Sequence, residues 1–496
     1  MHRSRILTTA VAVLLVLGQY ASAPPARAST TATLALHDCR IEGPRGTGSV
    51  AARCGELRVA EDPAEPSGRQ IGLAVAVVPA ISTRAEPDPL FMIAGGPGQG
   101  ARESFVPALA ALGSIRNTRD VVLVDQRGTG DSQPLDCDMP EDTLDDMDTP
   151  PEELAALART CLSALPGDPR FYTTSVAVQD LDAVREALGY ARINLYGASY
   201  GTRVAQHYVR RHPERVRAVV LDGVVPPGLA LGPALATDAE ASLRQVFADC
   251  AAMPDCKQAF GDLGAAFDAL RETLAAGPQQ VRFTDPVTGE AREERFGRGE
   301  LALAVRILSY AANSRALLPL LLHEAADGNL APIAAQAAMI AEQFEGMLAI
   351  GMHNAVSCTE DIPFIDPAAV DRAALARSYL GSAMLDGLQA MCGVWPRGVL
   401  DDDLRAPLSS TVPALLFSGS ADPVTPPAYA ATAATGFSQP LNLVFAGQGH
   451  TQLAEPCALG ILRRFLQAGR IEGLDTPCVA QLRQPPFFLN FNGSAP

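Results

Sequence analysis

A glycine-flanked serine, Gly197-Ala198-Ser199-Tyr200-Gly201, follows the strand-like run Arg192-Ile193-Asn194-Leu195-Tyr196 and leads into the helix-like run from Thr202 to Arg211. A serine in that setting is held at a sharp strand-to-helix turn, where small neighbours let the backbone crowd without clashing and the hydroxyl is lifted above the end of a sheet. The pattern predicts a nucleophile elbow in an α/β architecture. A serine that merely caps the helix is the alternative reading.

The surrounding chain has the texture such a turn requires. Ile71 to Val78, Leu90 to Ile93 and Val121 to Val124 read as buried strands separated by Pro/Gly-rich turns, Val176 to Leu188 as an amphipathic helix, and Val216 to Leu221 as a further strand. Near-continuous Val/Ile/Leu runs alternating with helices predict a mostly parallel sheet covered on both faces. After Val225-Pro226-Pro227-Gly228 the chain turns Ala/Leu-rich and helical, over Ala239 to Ala252, Leu263 to Ala275, Leu301 to Ala311 and Ala331 to Ile350. Strand character returns at Val412 to Ser418 and Leu441 to Phe445, and a helix from Pro456 to Ala468 follows. The expected organisation is a leader over 1–28, a first body segment over 29–231, an inserted helical cap over 232–405 and a second body segment over 406–496.

The leader reading rests on His2, Arg3 and Arg5 preceding an apolar run from Ile6 to Gly18, then Ala26-Arg27-Ala28 as a small-x-small cleavage site, with a cut after Ala23 as the competitor. An exported, secreted or periplasmic product without stable membrane insertion is expected. All ten cysteines lie beyond this segment, and an even count in an oxidising compartment reads as disulfides. They fall into five neighbouring couples, 39/54, 137/161, 250/256, 358/392 and 457/478, for which sequential pairing is expected. With no CxxC pair and no HExxH, neither a metal nor any other cofactor is expected. The formal charge of −16 moves to −19 when Arg3, Arg5 and Arg27 leave with the leader. Such a surface repels nucleic acid and anionic lipid and attracts cationic or amino-terminal ligands. Lys257 is the single lysine, so a phosphate loop of the GxxxxGK[ST] type is excluded.

A nucleophilic serine needs a base and an acid that orients the base, in the chain order Ser, Asp/Glu, His for this architecture. Of the seven histidines, only His450, in Gly447-Gln448-Gly449-His450-Thr451, sits on a Gly-rich loop after the final strand; His323 and His353 fall within the cap. Asp422, in Gly419-Ser420-Ala421-Asp422-Pro423-Val424, is the preferred acid and Asp222 its rival. Two backbone N–H groups must meet the developing oxyanion. Tyr200 supplies one, and Gly96, in Ala94-Gly95-Gly96-Pro97-Gly98-Gln99-Gly100, is the candidate for the other. Read as a dinucleotide loop, that run fails on glycine spacing.

Gly95-Gly96-Pro97-Gly98, Asp125-Gln126-Arg127-Gly128-x-Gly130-x-Ser132, Gly197-x-Ser199-Tyr200-Gly201, Asp422-Pro423-Val424-Thr425-Pro426 and Gly449-His450-Thr451 together resemble the proline iminopeptidase family of α/β-hydrolases. The likeness is closest to its secreted bacterial tripeptidyl aminopeptidase branch, whose C-terminal region is similar to Cys392-x-x-Trp395-Pro396 through His450. One departure is Ala94, where the family often carries His. The resemblance implies an α/β-hydrolase fold and a peptidase that acts on substrates with free N-termini, whose cap binds the amino group through carboxylates. Within Ser357-Cys358-Thr359-Glu360-Asp361, which resembles the family's acidic cap segment, it nominates Glu360 to hold the α-ammonium; a helix-flanking role beside a disulfide is the alternative. Asp125 and Arg127 are expected to brace their loop. An esterase or other acyl hydrolase on the same scaffold, and a binding protein that kept the fold, stay open as further readings.

Overall fold

The computed structural model describes residues 34–44, 47–137, 147, 149–344 and 346–494. The expected leader at 1–28 and most of the acidic stretch from Pro140 to Pro151 lie outside them. Nine strands form one sheet in the order β1-β2-β3-β5-β4-β6-β7-β10-β11. They are β1 (His37–Glu42), β2 (Ser49–Ala60), β3 (Gln70–Val78), β4 (Leu90–Ile93), β5 (Val121–Val124), β6 (Ile193–Ala198), β7 (Val216–Asp222), β10 (Ala414–Gly419) and β11 (Pro440–Phe445), while β8 (Gln279–Thr284) and β9 (Ala291–Phe296) pair as a separate hairpin. From β5 to β11 every pairing is parallel, and β1, β2 and β3 add an antiparallel edge.

The apolar runs work because strand side chains alternate between two covered faces. Ile193 and Leu195 of β6, Val219 and Leu221 of β7 and Leu416 of β10 enter one core. Tyr196, Ala218, Val220, Leu415 and Phe417 enter the core on the opposite face. The helix Pro456–Ala468 closes that second face with Ile461, Leu462 and Phe465.

Between β7 and β10 the helices Pro233–Ala252, Leu263–Ala275, Arg298–Leu308, Leu318–Ala326 and Ala331–Phe344 build a core of their own around Leu243, Phe267, Val305 and Ile333. Two features cross the expected divisions. Phe487, near the C-terminus, packs into this insert core, and the Phe488 N–H donates to the Ala316 carbonyl at 3.1 Å. In the other direction, Ala349, Met352, Ala355 and Val356 pack into the body core beside Val178 and Tyr200. The single helix expected from Ala331 to Ile350 is in fact two, Ala331–Phe344 and Ile350–Val356. Gly346, at φ +74°, marks the break, because left-handed backbone cannot continue an α-helix. Five disulfides join Cys39–Cys54, Cys137–Cys161, Cys250–Cys256, Cys358–Cys392 and Cys457–Cys478, the sequential pattern. Two of them flank the buried Trp395 in a small satellite core.

Candidate active site

Ser199 follows β6, capping the next helix at φ 54° and ψ −123°, backbone that L-residues rarely adopt. Its neighbours explain why. A Cβ at Gly197 would collide with the Gly201 carbonyl and one at Gly201 with the Ile93 carbonyl, so only glycine fits on either side. The turn costs about 1–3 kcal/mol of strain, and it is held by the Ser199 N–H donating to the Asp222 carbonyl at 2.9 Å. Ser199 is partly exposed, and its Oγ makes no hydrogen bond among the described residues.

Asp422 and His450 arrive from loops after β10 and β11, and His450 Nδ1 lies 2.9 Å from Asp422 Oδ2. Asp422 Oδ1 accepts the N–H groups of Val424 and Thr425, both at 2.8 Å, while the Thr425 hydroxyl donates to Oδ2 at 2.8 Å. These bonds fix the carboxylate so that it faces the imidazole. Burial raises the Asp422 pKa, but the facing imidazole and the backbone donors outweigh it and hold the group below its ordinary value. For His450 the balance runs the same way: burial pushes the imidazole down, and the charge and hydrogen bond of Asp422 more than reverse it. With Nδ1 directed at Asp422, Nε2 is the nitrogen left for a substrate or the serine.

Asp222 is close by but otherwise engaged. Its Oδ2 accepts the Tyr196 hydroxyl at 2.6 Å and the Gln452 N–H at 2.7 Å, and burial pushes its carboxyl up to about 6. Gly223, the next residue, touches the imidazole: a Cβ there would sit 2.9 Å from His450 Cε1. The strand end that holds the Ser199 N–H thus also abuts the His450 ring.

The loop after β4 presses on the serine. A Cβ at Gly95 would be 3.0 Å from Ser199 Cβ, and Gly96 and Gly98 take φ +103° and +111°. Tyr200 begins the helix Tyr200–Arg211, so its N–H has no acceptor within the helix. The insert reaches this loop at the helix break: the Ala349 N–H donates to the Gly98 carbonyl at 3.0 Å, and His353 Nδ1 lies 3.2 Å from the Pro97 carbonyl. Tyr310 completes the wall, its ring edge-on to His450 at 5.2 Å and its carbonyl accepting the His450 N–H at 2.7 Å.

Glu360, nominated by its segment to hold an α-ammonium, is met in the structure by partners of the protein's own. It is wholly buried in a π-helical turn, Ser357–Asp361. The Thr174 N–H and hydroxyl donate to it at 2.7 and 2.8 Å, and Arg203 faces it at 3.5 Å while pairing with Asp361 at 2.8 Å. Burial pushes Glu360 up to about 7. Through these contacts the two carboxylates tie their segment onto the helix behind Ser199. Arg203→Met should therefore destabilise the fold by about 3–5 kcal/mol, because it leaves two buried carboxylates without their cation; denaturant unfolding at neutral pH measures this. Asp125 and Arg127 also brace: Asp125 accepts the Arg102 and Asp131 N–H groups at 2.8 and 3.1 Å, and Arg127 forks onto Asp180 at 2.6 and 2.7 Å.

Among the described residues one group could approach a metal ion, His207, Asp401 and Asp403. Arg211 already pairs with both carboxylates at 3.0 and 2.5 Å, which meets their charge. Sequence reasoning passed over Tyr310, and it set His353 aside as a cap residue. Neither carries a local signal, since both reach the site from the insert.

A family model described as alpha/beta hydrolase fold matches residues 88–455. Serine protease Hip1 of Mycobacterium tuberculosis is 31% identical over 243 residues, covering 44% of this chain and 45% of that protein. Tripeptidyl aminopeptidase of Streptomyces coelicolor is 33% identical over 192 residues, 35% of each chain. Proline iminopeptidase of Neisseria meningitidis is 30% identical over 140 residues, 27% of this chain and 32% of that one. The chain thus spans less than half the length of the curated relatives it matches. Among solved structures, proline iminopeptidase from Mycobacterium smegmatis superposes with a TM-score of 0.43 at 17% identity, over 84% of this chain and 98% of that one.

Proposed function

Since this chain belongs to the alpha/beta hydrolase fold family, we propose that it is an exported serine peptidase that releases residues or short peptides from the free N-termini of oligopeptides. The observation that carries the hydrolase chemistry is the 2.9 Å contact of His450 with a buried, fully hydrogen-bonded Asp422, beside a serine on strained backbone. His450 Nε2 takes the Ser199 proton as Oγ attacks the carbonyl carbon, and the Gly96 and Tyr200 N–H groups receive the oxyanion. His450 then gives that proton to the leaving amine, and water hydrolyses the acyl-enzyme by the same steps in reverse order.

Peptide substrates are favoured by three relatives whose names are those of peptidases. Five disulfides and ten cysteines fit an oxidising compartment. No described helix is long and apolar enough to cross a membrane. A second reading, an acyl hydrolase without need of a free amine, draws on the engagement of Glu360 by Thr174 and Arg203.

Four chromogenic substrates separate the two: a free-amine tripeptide anilide, its N-acetylated twin, a proline anilide and a short acyl ester. Turnover of the free-amine peptide with at least tenfold discrimination against its acetylated twin is expected. Equal cleavage of the blocked peptide, or turnover of the ester alone, removes the exopeptidase reading and leaves the hydrolase.

A further inference from the structure

The loop Gly95-Gly96-Pro97-Gly98 lies between the nucleophile and the insert. On one side Gly95 abuts Ser199; on the other, a Cβ at Gly98 would sit 2.8 Å from the Ala349 carbonyl and one at Gly96 would sit 3.1 Å from Leu348 Cδ1. These four residues bring no polar side chain of their own, and Gly96 and Gly98 take positive φ. Glycine-rich backbone loses the most conformational freedom on ordering, so it keeps one shape only where its neighbours impose it. The Gly96 N–H has no acceptor among the described residues, and its aim follows from the peptide groups beside it.

Two successive carbonyls of the loop are held, and both by the insert. The Ala349 N–H donates to Gly98 at 3.0 Å, and His353 Nδ1 stands 3.2 Å from the Pro97 carbonyl. A carbonyl only accepts, so Nδ1 carries the hydrogen. Ser357 Oγ, 3.5 Å from Nε2, is placed to donate to the other ring nitrogen and keep that tautomer. Burial pushes the imidazole below its ordinary value, which leaves it neutral at pH 7. The support is itself anchored on the body. The Met352 N–H donates to the Leu135 carbonyl at 3.0 Å, and a Cβ at Gly351 would sit 2.7 Å from that same oxygen.

We propose that His353 is a positioning residue for the oxyanion hole: its bond to Pro97, beside that of Ala349 to Gly98, fixes the peptide planes of the loop so that the Gly96 N–H is aimed at the carbonyl oxygen attacked by Ser199. This rests on the roles given to Ser199 and Gly96 above. The insert then contributes to the rate of the chemical step as well as to substrate fit.

The test measures kcat, KM and two inhibition constants in wild type, His353→Leu and His353→Asn, the last of which keeps a donor close to the place of Nδ1. The substrate is whichever of the four chromogenic compounds turns over fastest, and the inhibitors are a trifluoromethyl ketone and its carbinol carrying the same acyl part. Only the ketone can take Ser199 Oγ at its carbonyl carbon, the serine proton passing to His450 and the carbonyl electron pair to the oxygen, and so set an oxyanion in the hole. His353→Leu should lower kcat by about tenfold to a hundredfold, the cost of a group about 1 Å out of place, with KM within about threefold of wild type. The preference for ketone over carbinol, at least about a hundredfold in wild type, should fall by the same factor as kcat, and His353→Asn should recover most of both. Where the leucine variant folds poorly, His353→Gln, whose amide reaches past the place of Nδ1, stands in for it. A side chain that only packs would lower stability and leave the preference intact, so a kcat loss without loss of preference, or an unchanged kcat, overturns the proposal alone. A wild-type protein that turns over none of the substrates, or binds ketone no tighter than carbinol, defeats the serine-hydrolase reading and takes the proposal with it.

Discussion

Ser199→Ala should lower turnover by about a millionfold, the loss seen when the nucleophile of a serine triad is removed. A fluorophosphonate probe should label the wild-type protein at Ser199 and leave the variant unlabelled, read by peptide mass spectrometry. A further expectation comes from the backbone. At φ 54° and ψ −123° the residue occupies conformational space that glycine tolerates far better. Ser199→Gly should then be inactive and more stable than wild type by about 1 kcal/mol, within the range of stored strain at functional turns. Wild-type turnover in Ser199→Ala would remove this serine from the chemistry altogether.

Asp422→Asn should cost about 10⁴ in kcat, since an amide facing Nδ1 favours the wrong imidazole tautomer. The pH profile gives an independent reading of the same contact. Activity requires neutral His450, so kcat/KM falls as pH drops through its pKa in the free enzyme. Burial pushes that pKa down, yet Asp422 outweighs it and the net direction is upward, so the acid limb should lie above the ordinary imidazole value of about 6.5. Removing the carboxylate takes away the larger of the charges that oppose burial, and the limb should move to lower pH. Asp222, pushed up to about 6, titrates nearby. A profile of Asp222→Asn that keeps the limb, displaced slightly downward because Asp222 also favours the imidazolium, assigns it to His450.

The parallel half of the sheet was legible because β4 to β7 and β10 are short apolar runs covered on both faces, and burial demands that composition, while β11 kept enough of the pattern at the edge to be read. The antiparallel edge was not: β1 and β2 carry Arg, Glu and Ala through a half-exposed surface, where strand pairing is decided by neighbours. Helix content in the insert was legible from Ala/Leu spacing, while the break at Gly346 was masked by apolar residues continuing through Leu348 to Ile350. In the site, strand-end motifs pointed to Ser199, Asp422 and His450, and the structure puts Asp422 on His450 and Asp222 on Tyr196. Glu360 shows the limit of motif reasoning. A carboxylate in a matching segment has no direction until its partners are known, and here Arg203 and Thr174 arrive from more than 150 residues away in the chain. Tyr310 and His353 had no local signature because their meaning comes from facing loops contributed by the body.

The bond from the His450 N–H to the Tyr310 carbonyl gives the insert a different standing from a lid that could be exchanged between relatives. Gly449, the residue before His450, has no room for a Cβ against that same carbonyl, so backbone lies on backbone at the junction and side-chain substitution cannot tune the fit. A chimera that imports a foreign insert for new substrate preference would also import a new seat for the imidazole. Grafts that retain the native stretch from Arg298 through Tyr310 should keep the imidazole seated, whereas grafts with a junction inside it would present as loss of turnover in a well-folded protein. Diversification of specificity in this scaffold is therefore confined to the parts of the insert that do not touch the histidine loop.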